Sequence, residues 1–336
     1  MKLAPEKIRK IAVLRALQLG DMLCAVPALK TLRNAYPEAQ ISLIGLPWAE
    51  AFVSRFHAYL DRFIEFPGYP GLPEQAVDPI KVVNFLQQMQ KEQFDLLVQM
   101  QGDGSYVNSM LTLLDAINLA GFYQKGDYCP GEDLFMVYPD EGSEIRRHLL
   151  LMKHLGLESE KPDLEFPVTV ADVRDFDALG LPPTEKNYVC VHAGSRGSWR
   201  QWPPEHFATL ADYCYEQGFQ IVLTGTADEW ELAERVKNHM KHPSVNLAGK
   251  SSLGGMAILL KQSAMLISNC TGVSHMAAAF RTPSIVISMD GEPDRWAPLN
   301  QSIHKTTNWL VQPDLKKVLN DTMSLIQTSS KMPLRR

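Results

Sequence analysis

Nowhere in the 336 residues does an apolar run reach the length needed to cross a bilayer, and the first apolar stretch is broken by Arg15 and Asp21. Neither a membrane span nor a secretory leader is expected, and the expected location is the cytoplasm. A basic surplus is missing too: 33 lysines and arginines stand against 38 acidic residues, a net charge of -5. That balance argues against a dedicated nucleic-acid binder, whose phosphate contacts need positive charge. The five cysteines, Cys24, Cys129, Cys190, Cys214 and Cys270, form no C-x-x-C pair and are odd in number, so they read as reduced thiols rather than staples or zinc ligands. His239 and His242 have no matched carboxylate and read as a solvated face, and no D-x-D stands where it would hold a metal-diphosphate. No metal and no cofactor is expected. G-x-x-x-x-G-K-[ST] is absent, and no G-x-G-x-x-G follows the first strand-like run, which removes the common nucleotide fingerprints.

What remains is a soluble globular composition, 45% hydrophobic and 21% charged, in a chain long enough for two cores. Short apolar runs alternate with helix-period segments, the pattern of a parallel sheet covered on both faces. Strands are expected at Lys10 to Leu14, Ile41 to Gly45 and Phe94 to Met100, and then at Tyr188 to His192, Gln220 to Thr224, Ala264 to Ser268 and Ser284 to Ser288. In the second half helices are expected to start near Pro204, Asp228, Ser252 and Gly272; Pro27 either kinks the first helix or sits in its opening turn. Pro162, Pro167, Pro182 and Pro183 mark a connection, and the boundary is placed near residue 180. This gives domains at 1–180 and 181–312 and an amphipathic C-terminal helix and tail at 313–336, ending in a frayed KMPLRR. Open parallel sheets bind ligands at the carboxyl ends of their strands, so the chemistry is sought there.

Three loops qualify. After the first strand, LQLGDMLCAVPALK puts Gly20 and Asp21 at the carboxyl end, where Asp21 is either a helix N-cap or a base. HAGSRGSWRQWPPEHF follows a buried strand and offers Gly194, Ser195, Gly197, Ser198, Arg196 and Arg200, a set suited to a diphosphate and equally readable as a solvated turn. SNCTGVSHMAAAF opens a helix whose N–H groups at Thr271, Gly272 and Val273 would face an anion, with His275 one turn in, as ligand or packing residue. Between them, Glu229 and Glu231 follow a strand end; a carboxylate there either bonds a ribose diol or favours a helix's first turn.

Taken together, IAVLRALQLGDMLCAVPALKTLRNAYPEAQISLIG, WPPEHFATLADYCYEQGFQIVLTGTADEWELA and NLAGKSSLGGMAILLKQSAMLISNCTGVSHMAAAFRTPSIVI resemble glycosyltransferase family 9, the ADP-heptose lipopolysaccharide heptosyltransferase family, from about Ile8 to Pro298. The resemblance implies an α/β, GT-B type fold of two doubly wound Rossmann-like domains facing a central cleft. It implies an acceptor-side N-terminal domain, a nucleotide-sugar-binding C-terminal domain, and inverting transfer without a metal. By the same resemblance Asp21 is the general base and Arg200 stands where the family commonly has a lysine. Gly20, Gly194, Ser195, Glu229, Leu253, Cys270, Thr271, Gly272, Val273 and His275 are donor-binding. The partners implied are an ADP-activated sugar and a saccharide or glycolipid acceptor, with peripheral contact at the inner membrane face. Lys7, Arg9, Lys10, Arg146 and Arg147 are either contacts for an anionic glycolipid or scattered surface charge. One departure stands out: where the family reads Asp-Thr-Gly, this chain reads Cys270, Thr271, Gly272. That loss leaves open another nucleotide donor, or a non-catalytic nucleotide-sugar-binding protein. A nicotinamide-dependent dehydrogenase fits the alternation but lacks the glycine fingerprint.

Overall fold

In a computed structural model the chain divides into two compact units, Met1–Asp163 and Leu164–Arg336. Residues 1–158, 160–181 and 188–329 are described. The first unit runs β1 (Lys10–Leu14), α1 (Leu19–Ala35), β2 (Gln40–Gly45), α2 (Ala49–Arg55), β3 (Arg62–Glu65), α3 (Pro79–Glu92), β4 (Leu96–Gln99), α4 (Asn108–Leu111), β5 (Asn118–Tyr123), β6 (Phe135–Val137) and α5 (Glu144–His154). All six strands are parallel, in the order β3-β2-β1-β4-β5-β6. A parallel sheet with helices on both faces must be apolar on both, which is why KIAVL and LLVQ read as continuous runs rather than alternating ones. Ile11 through Leu14 and Leu96 through Val98 are fully buried. Pro27 lies inside α1 rather than in its opening turn, and the helix continues through it with Met22 to Leu29 buried. The packing around it outweighs the lost N–H bond.

The second unit runs α6 (Val170–Asp177), β7 (Tyr188–His192), α7 (Pro204–Glu216), β8 (Gln220–Thr224), α8 (Trp230–His239), β9 (Val245–Asn246), α9 (Leu253–Gln262), β10 (Met265–Asn269), α10 (Gly272–Ala279), β11 (Ser284–Ser288), α11 (Pro293–Trp296), β12 (His304–Asn308) and α12 (Leu315–Ser329). Its parallel order, β12-β11-β10-β7-β8-β9, repeats the winding of the first sheet. The core gathers around Trp202, fully buried between Phe207 and Trp309 with ring centroids 5.1 Å from each. From α12, Val318, Leu325 and Ile326 enter that core, so the C-terminal helix belongs to the second unit.

The boundary falls ahead of the expected residue 180, because α6 is already part of the second unit. It packs along α9, where Gly254 leaves room for the Asp172 carboxylate and Ser252 donates to Asp175 at 2.5 Å. Pro182, Pro183 and the terminal KMPLRR lie outside the described residues. Among the described residues, no helix is long and apolar enough to cross a membrane.

His148 on α5 and His304 on β12 are buried, and desolvation first of all holds each imidazole down at about 4. The unfolded chain takes up these protons near the ordinary value of 6.5, so folded stability is fully present above that pH and is lost as the pH falls toward 4. Urea unfolding at pH 7 and pH 5 is expected to differ by about 1–2 kcal/mol for each histidine, and His304→Asn should flatten that dependence.

Candidate active site at the strand-order reversals

In the first sheet the strand order reverses between β1 and β4, and the loops that leave these strands open a crevice at their carboxyl ends. Polar side chains fasten that end. Ala16 N donates to Gln101 Oε1 at 2.7 Å, Gln99 Nε2 donates to Gln101 O at 2.6 Å, and Phe122 N donates to Gln99 Oε1 at 3.0 Å. Arg15, 1% exposed, donates from Nε and Nη2 to the main-chain oxygen of Asp21 at 3.0 and 2.8 Å, and from Nη1 to Met100 O.

Gly20 and Asp21 lie in the first turn of α1, and the N-cap is Gln18, whose side chain makes no capping bond. Asp21 is therefore not the cap residue. It is a half-buried acid in the first turn, where the positive end of the helix favours a carboxylate. Arg147 corrects the reading of the basic residues as surface charge: it is 3% exposed, bonded to Glu144 at 2.8 Å and to Pro139 O at 2.7 Å.

The second sheet reverses between β7 and β10. Asn269, buried at the end of β10, joins their loops by donating to Ala193 O at 2.7 Å and accepting from Trp202 N at 3.0 Å. Gly194 and Ser195 are buried in this loop, with Ser195 O accepting from Gln201 Nε2 at 3.2 Å. Arg196 is exposed, whereas Arg200 turns inward and pairs with Asp290. Asp290 also accepts from Ser288 Oγ at 2.7 Å and from Glu292 N at 3.2 Å. A diphosphate arriving at Arg200 must share the guanidinium with Asp290 or displace that carboxylate.

Thr271 is the N-cap of α10 and supplies no side-chain cap, so the first-turn N–H groups of Gly272 and Val273 point out of the helix without intrahelical acceptors. Cys270, 4% exposed, lies with its Sγ 3.6 Å from Trp296 O, and burial pushes its thiol up to about 12. It is a neutral packing thiol. His275 is likewise buried, edge-on to Trp296 with centroids 6.5 Å apart.

Glu229 accepts from Thr226 N at 2.8 Å, so its carboxylate serves the turn before α8. It stands 3.8 Å from His192 Nε2, and burial keeps that imidazole below its ordinary value despite the acid beside it. Glu231 is exposed on α8, and Leu253 is 39% exposed at the start of α9. The structure thus gathers Gly194 with Glu229, and Arg200 with Asp290, Cys270, Trp296 and His275, with Asn269 between the two groups. Arg15, Gln99, Gln101, Asn269 and Asp290 were not singled out by sequence. For the glutamines and Asn269 the available signal was a polar residue ending an apolar run. Among the described residues, no three His, Cys, Asp or Glu side chains gather as a metal site.

A Cβ on Gly194 would fall on the Glu229 carboxylate. Gly194→Ala is expected to push the Glu229 carboxylate aside and cost about 1 kcal/mol in thermal unfolding, the worth of its bond from Thr226 N, and much less in a Glu229→Ala background, where that carboxylate is already gone.

The model of glycosyltransferase family 9 (heptosyltransferase) matches residues 82–323. Lipooligosaccharide heptosyltransferase 2 of Haemophilus ducreyi is 24% identical over 312 residues, covering 87% of this chain and 86% of that one. Lipopolysaccharide heptosyltransferase 3 of Escherichia coli K12 is 24% identical over 302 residues, covering 84% and 83%. Among solved structures, the E. coli ADP-heptose lps heptosyltransferase II superposes with a TM-score of 0.76 at 19% identity, over 96% of this chain and 99% of that one. The E. coli heptosyltransferase WaaC with ADP gives 0.66 at 18%, over 95% and 99%. These likenesses fix the GT-B fold, two Rossmann-like units in one chain. The family model covers well over half of the 336 residues, and this protein belongs to glycosyltransferase family 9 and is a glycosyltransferase.

Proposed function

We propose that the protein transfers heptose from ADP-heptose to a saccharide of lipopolysaccharide or a related cell-surface glycan, inverting the anomeric carbon without a metal ion. The observation that carries this reading is the chemistry at the two strand-order reversals. An acid, Asp21, opens the helix after β1, while a guanidinium, Arg200, and a helix N-terminus, Thr271 to Val273, follow β7 and β10. The names of the relatives supply the donor and the acceptor class.

In this mechanism the acceptor hydroxyl gives its proton to Asp21 as its oxygen bonds to the anomeric carbon, while the bond from that carbon to the diphosphate oxygen breaks and ADP leaves. Negative charge grows on the leaving diphosphate. Arg200 and the N–H groups opening α10 meet it, since fixed donors aimed at developing charge stabilise a transition state more than the ground state. Glu229 takes the ribose diol, with Gly194 leaving room for its carboxylate. The reaction is placed in the cytoplasm, with the protein meeting the inner membrane through its glycolipid acceptor.

Two measurements test the reading. Calorimetric titration with ADP, GDP, UDP and NAD, in the presence of EDTA, is expected to show preference for ADP. Preference for GDP or UDP would keep the transferase and change its donor, and binding of NAD alone would overturn the assignment. Asp21→Asn is expected to lower turnover by about 10²–10⁴-fold while ADP affinity stays as it was, since a base acts on the acceptor proton and not on the nucleotide. A native rate in that variant would remove Asp21 as the base, and ADP-heptose binding without any transfer by the native protein would favour the non-catalytic alternative.

A further inference from the structure

The first unit holds a buried charged cluster that the reaction described above does not use. Arg15 Nη2 lies 3.4 Å from Glu144 Oε1; the other carboxylate oxygen accepts from Arg147 Nη1 at 2.8 Å, and His148 Nε2 is 3.2 Å from Oε1. All four side chains are 3% exposed or less. Two guanidiniums face one carboxylate, and desolvation holds His148 neutral at ordinary pH. Burying such charges is costly and stabilises a fold less than apolar packing would, so the cluster calls for a use other than stability.

Arg15 shows what that use is. Its fork spans two separate chain segments: the carbonyl of Asp21 in the first turn of α1, and the carbonyl of Met100 just after β4. The helical pattern gives the Asp21 carbonyl an acceptor role toward the residue four positions on, and Arg15 takes up the oxygen's remaining capacity. α5 packs along α1 and brings Glu144 to Nη2 of the same guanidinium, the nitrogen that also bonds the Asp21 carbonyl. The residue read as the base is thereby tied through its own main chain to the strand end beside it.

We propose that Arg15 is a positioning residue, which holds Asp21 at the carboxyl ends of β1 and β4 through its main-chain carbonyl, with Glu144 as the buried counter-charge that fixes the guanidinium. The proposal rests on Asp21 being the base. A lysine keeps the charge but cannot hold two carbonyls and a carboxylate in one plane, so Arg15→Lys isolates the fork geometry.

The test measures ADP release from ADP-heptose with heptose-free lipopolysaccharide core as acceptor, for Arg15→Lys and Glu144→Gln in the native and the Asp21→Asn backgrounds. Arg15→Lys is expected to lower kcat by about 10–100-fold, as a small misplacement of a catalytic group does, with the calorimetric affinity for ADP unchanged. In the Asp21→Asn background the same change should cost less than about threefold, because the group it positions is gone. Glu144→Gln, the same shape without the charge, should show a smaller loss with the same masking, and it carries the test should Arg15→Lys fail to fold. A folded Arg15→Lys protein with a native kcat overturns the proposal, as does a loss of equal size in both backgrounds. Failure of the base assignment is a different result, visible as a native rate in Asp21→Asn alone.

Discussion

The structure depends on one constraint, the parallel hydrogen-bonded pairing of β1 with β4 and of β7 with β10. Each of these pairs joins the first strand of its unit to the fourth, so the strands on either side are reached by crossovers that run outward in opposite directions. Right-handed connections then place the helices on opposite faces, and the chain cannot close over the strand ends in between. A crevice is left where the order reverses. Asp21, Arg200 and the start of α10 stand in the loops or first turns after these four strands, and residues outside these positions need not have acted on a substrate for the fold to exist.

A crevice of mobile loops would not be a site, and here the strand ends are stiffened by buried polar side chains. Gln99 and Gln101 cross-link the segments after β1 and β4 to the end of β5, and Asn269 ties the end of β10 to the loop after β7. A buried amide left unpaired costs about 1–3 kcal/mol, which makes each of these bonds a geometric requirement once the side chain is inside. The same reasoning applies more strongly to Arg15, whose charge has no exit to water.

Much of this was legible in the sequence, for a physical reason. Strands buried on both faces are runs such as IAVL, YVCVH and SIVIS, and these stand out from helices that need a polar side. The seven expected strands are present, four with the expected bounds and three shifted by no more than two residues at either end. The strands that escaped notice lie away from the sheet centres. β12, with the sequence HKTTN, is polar because it forms an edge, and β6 and β9 are too short to carry a period. The unit boundary escaped because prolines mark every irregular turn, whereas the seat of α6 on α9 depends on the fit of Asp172 to Gly254, across 82 residues of chain. Of the candidate residues, those in glycine-bearing loops were visible. Arg15 looked only like an interruption in an apolar run, since its partners Met100 and Glu144 come from distant segments.

Under the proposed reading, Cys270 bears on how the donor is held. With its thiol raised to about 12 by burial, this position carries no charge at any pH at which the protein works. A carboxylate there would accept charge-assisted hydrogen bonds, each worth about 1.5–3 kcal/mol, whereas a thiol is a weak donor and acceptor. Negative charge is present close by on Asp290, near enough to act on the thiol, but it is engaged with Arg200 and Ser288. Under the proposed reading a diphosphate that takes Arg200 loosens Asp290 by the same exchange. Asp290 would still accept from Ser288 Oγ and Glu292 N, so the exchange frees one of its oxygens while the other holds the carboxylate at the strand end.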